Sequence, residues 1–532
     1  MIAAGLAAAG TMVTFSACTA NKEDTGPQGP PASIFDSDGF TATGQPFDIH
    51  KINHVVVIYQ ENWSFDGLYS QFPGANGKAF GTAITQTRID GTPLTLIPPP
   101  LNGSGAIDAT NFAAFPGAGA PMRFSNILAA PFALPSASLL TGDIVHNYYN
   151  EQGQIDGGAM DQFVAWSDNP GLVMTGFDAT GLPEGRLAHQ YAMCDNCFHS
   201  AFGGSFLNHI FLIAAAPPVY GPTNAPEPAS ALKGFPAGMA SLIPATLPTP
   251  TISPGLAATA ADASGPVPTT GNDWPAVLNP GGTPNRKAPD GKLTSAVDGN
   301  GNFLAVNTMQ PSSWPFSLGG PFLPLQTLPT IGDRLSGANL SWKWYSGGWN
   351  SAVAGNPDAT FQYHHQAFNF FANFAPGKPG RVHLADVEDF ANDLATGTLP
   401  AVSFIKQLGS NNEHPGYSDV ATGQAAVADL VNKVQNSSAW KDTAIIITYD
   451  ENGGRWDHVA PPVVDAFGPG TRVPMIIISP YAKRGFVDHT QYETLSILKF
   501  IEQRWGLAPL TARDAGATSL INAFADYIFS NG

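Results

Sequence analysis

The sequence predicts an α/β protein, a sandwich of helices on a sheet whose interior strands run parallel. Three observations predict it. Short β-branched runs bounded by polar or turn residues recur at 53–59 (NHVVVIY), 401–406 (AVSFIK), 443–449 (TAIIITY) and 473–479 (VPMIIIS). All but 401–406 are near-continuously apolar, as strands covered on both faces must be. Helical periodicity separates them: Ala425, Val427, Leu430, Val431 and Val434 define a helix over 421–435, and Leu495, Leu498 and Ile501 one over 490–504 that starts at a capping Thr. Strand–helix alternation of this kind builds layered α/β sheets.

Along the chain, residues 1–17 are an uncharged run of small and apolar residues, suited to the core of an export signal. The run is short of the roughly 20 residues that span a bilayer. Cys18 follows in Phe15-Ser16-Ala17-Cys18, a lipoprotein-like context, so a plain signal peptide over 1–18 and a lipid anchor at Cys18 are both open. The expectation is an exported protein, periplasmic or secreted. A Gly/Pro-rich linker covers 19–45, and a catalytic body covers 46–532. Within it, 216–330 is dense in Pro, Gly, Ala and Thr with few periodic segments, and reads as an irregular insertion or cap.

Composition narrows the function. The 532 residues carry a net charge of −17, with only 12% charged residues against about 25% in an average soluble protein. Such a chain lacks the basic footprint that phosphate neutralisation demands, so nucleic acid is not expected as a partner. The 57 Gly and 47 Pro imply long turn-rich loops. Beyond Cys18 the only cysteines are Cys194 and Cys197. Two thiols cannot make a four-ligand zinc site, leaving a strained local disulfide or two buried small side chains.

In open α/β sheets, function collects at the carboxyl ends of strands. After the first strand come Glu61 and Asn62, a carboxylate and an amide suited to a divalent cation. After 443–449 come Asp450, Glu451, Asp457 and His458, three acids and a His within nine residues. Such a group repels itself unless a cation or protons hold it, which points to a metal-centred site. Oxygen ligands without cysteine favour Ca²⁺, Mg²⁺, Mn²⁺ or Fe²⁺. Ser205, in Gly203-Gly204-Ser205, opens an apolar helix, where free N–H groups and the dipole favour a phosphate; the alternative is a simple Ser cap. His146, His364, His365 and His414 are imidazoles able to donate to phosphoryl oxygens or act as general acid. His383 and His489 read as structural.

QENWSFD, GGSFLNH, YHHQAF, NEHPGYSD and TYDENGGRWDHVAPP, in this order, resemble the bacterial phosphoesterase family, which includes non-specific phospholipases C and acid phosphatases, within the alkaline phosphatase superfamily. The resemblance runs from about residue 50 to 510 and covers 216–330 poorly. It implies an α/β/α sandwich around a mixed, mostly parallel sheet. It further implies one metal ion held by Glu61, Asn62, Asp450 and Glu451, with Ser205 as nucleophile and metal neighbour. His146, His364, His365 and His414 would line the phosphate pocket, with Asn62, Asp457 and His458 binding substrate. At the nucleophile the phospholipase branch often has Thr followed by Pro-Asn-Arg. Here Ser205 is followed by Phe206 and then Leu207-Asn208-His209. The expectation is therefore a metal-dependent acid phosphatase acting on a small phosphomonoester through a phosphoserine. A phospholipase C and an inactive binding protein on the same fold are the alternatives.

Overall fold

In the computed structural model, the described residues are 40–222 and 295–529, apart from 43–45, 89–90, 95–96, 98–99, 101–128, 298–301, 314 and 316–321. The export signal, Cys18, the linker up to residue 39 and the centre of the insertion (223–294) lie outside them.

Eight strands form one mixed sheet: β1 (His54–Gln60), β2 (Ala192–Cys194), β3 (Trp342–Ser346), β4 (Leu384–Ala385), β5 (Val402–Lys406), β6 (Thr443–Tyr449), β7 (Met475–Ile478) and β8 (Phe486–Asp488), in the spatial order β4-β3-β5-β1-β6-β7-β2-β8. All junctions are parallel except the two made by β7, which runs antiparallel to both β6 and β2. The apolar run at 473–479 thus lies in the interior, but reversed against its neighbours. Val55, Val56, Val57 and Ile58 of β1, Ile445–Ile447 of β6 and Ile476–Ile478 of β7 are all buried. Burying each such side chain contributes roughly 1.5–3 kcal/mol, and burial of consecutive residues requires a layer on each face of the sheet.

Five helices supply most of that cover: α1 (Pro183–Gln190), α2 (Ser205–Ala214), α3 (Val387–Ala395), α4 (Val420–Gln435) and α5 (Leu495–Trp505). Helices α1 and α3 both pack on α4, and α2 packs on α5. The predicted 421–435 helix is found as α4, capped by Asp419, whose side chain accepts from Thr422 N. The predicted 490–504 helix starts five residues late. Tyr492–Glu493 instead pair in parallel with Cys197–Phe198, and an aromatic beside a buried strand partner is better satisfied extended. The flanks of the insertion are also more regular than expected, since Val219–Pro222, Ser295–Val297 and Asn302–Ala305 make a three-stranded antiparallel sheet. Cys194 and Cys197 are free and buried, the second of the two expected arrangements.

Candidate active site

The three central parallel strands β5, β1 and β6 end side by side, with Gln60 opposite Tyr449 in the register. Whatever follows them meets at one edge of the sheet. That edge receives Lys406 from the last position of β5, Glu61 and Asn62 from beyond β1, and Asp450 and Glu451 from beyond β6. All five are fully buried. The chain must turn at once after β1, and Asn62 does so at φ 60°, a left-handed conformation that Asn tolerates better than most residues. Gly453 sits against it at φ 61°, where a Cβ would lie 2.5 Å from the Asn62 carbonyl oxygen.

Ser205 opens α2, and the structure removes the simple capping role: Gly204 holds the cap position and no side chain caps the helix. The Ser205 hydroxyl instead faces the strand ends. Its Oγ lies 3.2 Å from Glu451 Oε1, 3.4 Å from Glu61 Oε2 and 3.4 Å from Asn62 Oδ1. Asp450 joins through Oδ1, which accepts from the Asn62 backbone N at 3.3 Å.

Histidines close the site. His365 Nε2 is 2.6 Å and His414 Nε2 3.6 Å from Glu61, and His146 Nε2 is 3.5 Å from Glu451. His364 sits edge-on to His365, ring centroids 4.6 Å apart, and its buried Nδ1 has no hydrogen-bond partner. The nine candidates Glu61, Asn62, His146, Ser205, His364, His365, His414, Asp450 and Glu451 are thus gathered in one place.

Asp457 and His458 are engaged elsewhere. The two oxygens of Asp457 face Arg472 Nε at 2.8 Å and Nη2 at 3.1 Å, and Oδ2 also accepts from Asp66 N. His458 Nδ1 lies 2.6 Å from Asp66 Oδ2. The run of acids after β6 therefore divides. Asp450 and Glu451 face Ser205, whereas Asp457 is neutralised by an arginine fifteen residues further on, which the expectation of a single cation-held group did not include.

Two residues of the site went unassigned in the sequence. Lys406 Nζ is 2.6 Å from Glu61 Oε1 and 3.5 Å from Asp450 Oδ2. Its signal was available, as a charged residue closing a strand at the edge where function collects. His209, one turn after Ser205, places Nδ1 2.7 Å from the Ser205 carbonyl and stacks on His365 at 5.3 Å. The motif GGSFLNH contains it, but helical spacing alone gave it no role.

These charges set one another's ionisation. Burial opposes ionisation of Glu61, yet Lys406 and His365 overcome it and hold its carboxyl well below the ordinary range. Burial and the charge of Glu61 push Asp450 up to about 6. Glu451 is raised well above the ordinary range by burial, with His146 opposing. Burial works against a charged His146, but Glu451 and Asp143 outweigh it and raise it to about 10. His365 is lowered to about 4 by burial, and burial lowers His364 and His209 as well. His146 is thus pushed in the opposite direction from His209, His364 and His365.

The donor set fits a divalent cation. Oxygens of Glu61, Asn62 and Glu451 converge on the Ser205 hydroxyl, and Asp450 Oδ2, an acceptor, is buried without a hydrogen-bond partner. Lys406 faces Glu61 and Asp450, and Glu451 lies buried beside them against His146; such a concentration of buried carboxylates is stable only when cations or protons offset it.

The sequence matches the Phosphoesterase family over residues 52–508. The chain belongs to that family. Among curated members, this phosphoesterase is 27% identical to a non-hemolytic phospholipase C of Pseudomonas aeruginosa, over 35% of this chain and 31% of that protein. It is 31% identical to phospholipase C B of Mycobacterium tuberculosis, over 39% of this chain and 46% of that one. It is 33% identical to non-specific phospholipase C6 of Arabidopsis thaliana, over 26% and 32%. Each match spans less than half of the relative's own length. Among the described residues, no helix is long and apolar enough to cross a membrane.

Proposed function

We propose that this phosphoesterase is an exported, metal-dependent hydrolase of small phosphomonoesters that works through a phosphoserine at Ser205. The observation that carries the reading is the convergence of Glu61, Asn62 and Glu451 oxygens within 3.4 Å of a serine hydroxyl at a helix N-terminus. A serine hydroxyl is a weak nucleophile near neutral pH and needs activation. A divalent cation held by Glu61, Asn62, Asp450 and Glu451 would lower the pKa of that hydroxyl and neutralise a phosphoryl oxygen.

The remaining work falls to the chain's own residues. The first turn of α2 presents free backbone N–H groups, which favour a phosphoryl dianion beside Ser205. In-line attack forms the Ser205 Oγ–P bond as the bond to the leaving oxygen breaks, and the electron pair departs with that oxygen. His146, held protonated by Glu451 and Asp143 despite its burial, supplies the proton the leaving oxygen takes up. The neutral His364 offers its N–H to a phosphoryl oxygen, and His365 holds Glu61 at 2.6 Å. Water then attacks phosphorus, frees Ser205 and releases phosphate.

A second reading, a phospholipase C acting on lipid diesters, is favoured by the names of the relatives above. The residues after Ser205 and the net charge of −17, repelled from anionic membranes, speak for the monoester. The deciding experiment compares kcat/KM on aryl and sugar phosphates with that on phosphatidylcholine and sphingomyelin, with and without chelator and with metal analysis of the same sample. Higher kcat/KM on a choline phospholipid than on every monoester replaces the first reading with the second. Full activity after exhaustive chelation rejects the metal, and absence of turnover on every ester leaves a binding protein.

A further inference from the structure

Glu61 offers its two oxygens to two different surroundings. Oε2 faces the Ser205 hydroxyl at 3.4 Å, on the side assigned to the metal. Oε1 faces away from it, 2.6 Å from Lys406 Nζ and 2.6 Å from His365 Nε2. Ligand atoms of Glu61, His209 and His365 all lie within 4.8 Å of one another, and all three residues are buried. With His209 Nδ1 donating to the Ser205 carbonyl, its Nε2 keeps a lone pair, and that atom is buried without a hydrogen-bond partner. Two imidazoles and one carboxylate are the protein ligands of many three-ligand zinc centres. A carboxylate shared between two cation positions is how paired metals are held in phosphoryl-transfer sites.

Lys406 reaches the carboxylate oxygen at the edge of that second position. Its Nζ touches the Glu61 oxygen that the three-ligand set shares, donates to the Gln60 carbonyl at 3.2 Å and lies 3.5 Å from Asp450 Oδ2. It is fully buried, and its ammonium sits over the Tyr59 ring at 5.0 Å. The charges agree with this placement. Glu61, Asp450 and Glu451 carry three negative charges when ionised, and one ammonium with one divalent ion already matches them before His146 is counted. A second divalent ion beside Lys406 would add two more positive charges to the same three carboxylates before substrate arrives.

We propose that Lys406 is a built-in second cation, closing a would-be two-metal site so that this phosphoesterase works with a single ion. The inference rests on the metal-dependent reading above. Lys406 acts through Glu61 as a positioning residue, fixing one oxygen so that the other is presented to Ser205 and the metal. Unlike a second ion, the ammonium cannot dissociate.

The test counts ions. Wild-type protein, Lys406→Met and Lys406→Gln are saturated with Zn²⁺ or Mn²⁺, freed of loosely held ions by gel filtration and analysed by elemental mass spectrometry, with circular dichroism to establish folding. The expected result is one ion per chain in wild type and two Zn²⁺ in folded Lys406 variants. Combining His209→Ala with Lys406→Met should return the count to one. Folded Lys406 variants that still hold one ion overturn the proposal and leave the metal-dependent reading intact. Two tightly held ions in wild type, lost to one on His209→Ala, also overturn it, and this arm decides even where the Lys406 variants do not fold. No ion in wild type removes the metal-dependent reading and this proposal together.

Discussion

Replacing Asp457 with Asn separates the two halves of the DENGGRWDH segment. Asp457 and Arg472 are both fully buried and meet through two parallel hydrogen bonds of 2.8 and 3.1 Å. This bidentate form is among the stronger protein hydrogen-bonding arrangements. Removing one partner of a buried pair costs about 3–5 kcal/mol, because the other charge stays buried. Arg472 would keep Asp66 Oδ1 at 3.4 Å, the carbonyls of Asn76 and Asp195, and the Phe65 ring at 4.7 Å. Those partners place Asp457→Asn at the lower end, about 3 kcal/mol, or on the order of 10² in the folding equilibrium. Urea titration followed by circular dichroism and tryptophan fluorescence measures the loss, and kcat/KM on an aryl phosphate is taken below the unfolding transition. The expected outcome is a lower midpoint with kcat/KM at its wild-type value. Unchanged stability with kcat/KM reduced by orders of magnitude would refute the reasoning and return Asp457 to the substrate.

Two further outcomes follow. Asp143 raises His146 and contacts it at 3.6 Å, so Asp143→Asn lowers the His146 pKa. Since the donor is the protonated imidazole, the rate falls as pH rises through that pKa, and the alkaline limb of the pH–rate profile moves to lower pH in the variant. An unmoved limb would dissociate His146 from the leaving-group proton. Burial pushes both the Cys194 and Cys197 thiols up, so neither reacts with an aromatic disulfide reagent in the native protein and both react after denaturation. Absence of both thiols from the denatured, unreduced chain would mean a disulfide instead.

What was legible in the sequence follows from the range of the forces involved. The runs around 53–59, 443–449 and 473–479 each carry three or more consecutive β-branched residues, and burial on both faces suits them to interior strands. The strands at Ala192–Cys194, Leu384–Ala385 and Phe486–Asp488 are two or three residues long and exist only because neighbouring backbone pairs with them. The reversal of β7 is equally invisible in composition, since a strand buried on both faces looks the same in either direction. At the site, Glu61, Ser205, Asp450 and Glu451 stand in recognisable local motifs. Lys406 stands in none, because its meaning comes from Glu61, 345 positions away in the chain. Likewise the partners of Asp457 and His458, Arg472 and Asp66, cannot be read from the local motif.

The central claim is that Ser205 takes the phosphoryl group. Rapid acid quench of the enzyme turning over a phosphomonoester, followed by peptide mass spectrometry, tests it most directly, because a phosphoserine is stable in acid. The account predicts one added phosphoryl group on the peptide containing Ser205, absent from Ser205→Ala, which should lose several orders of magnitude in turnover while folding normally. An unmodified Ser205 peptide under conditions of a product burst, or a Ser205→Ala enzyme that turns over at the wild-type rate, would contradict it.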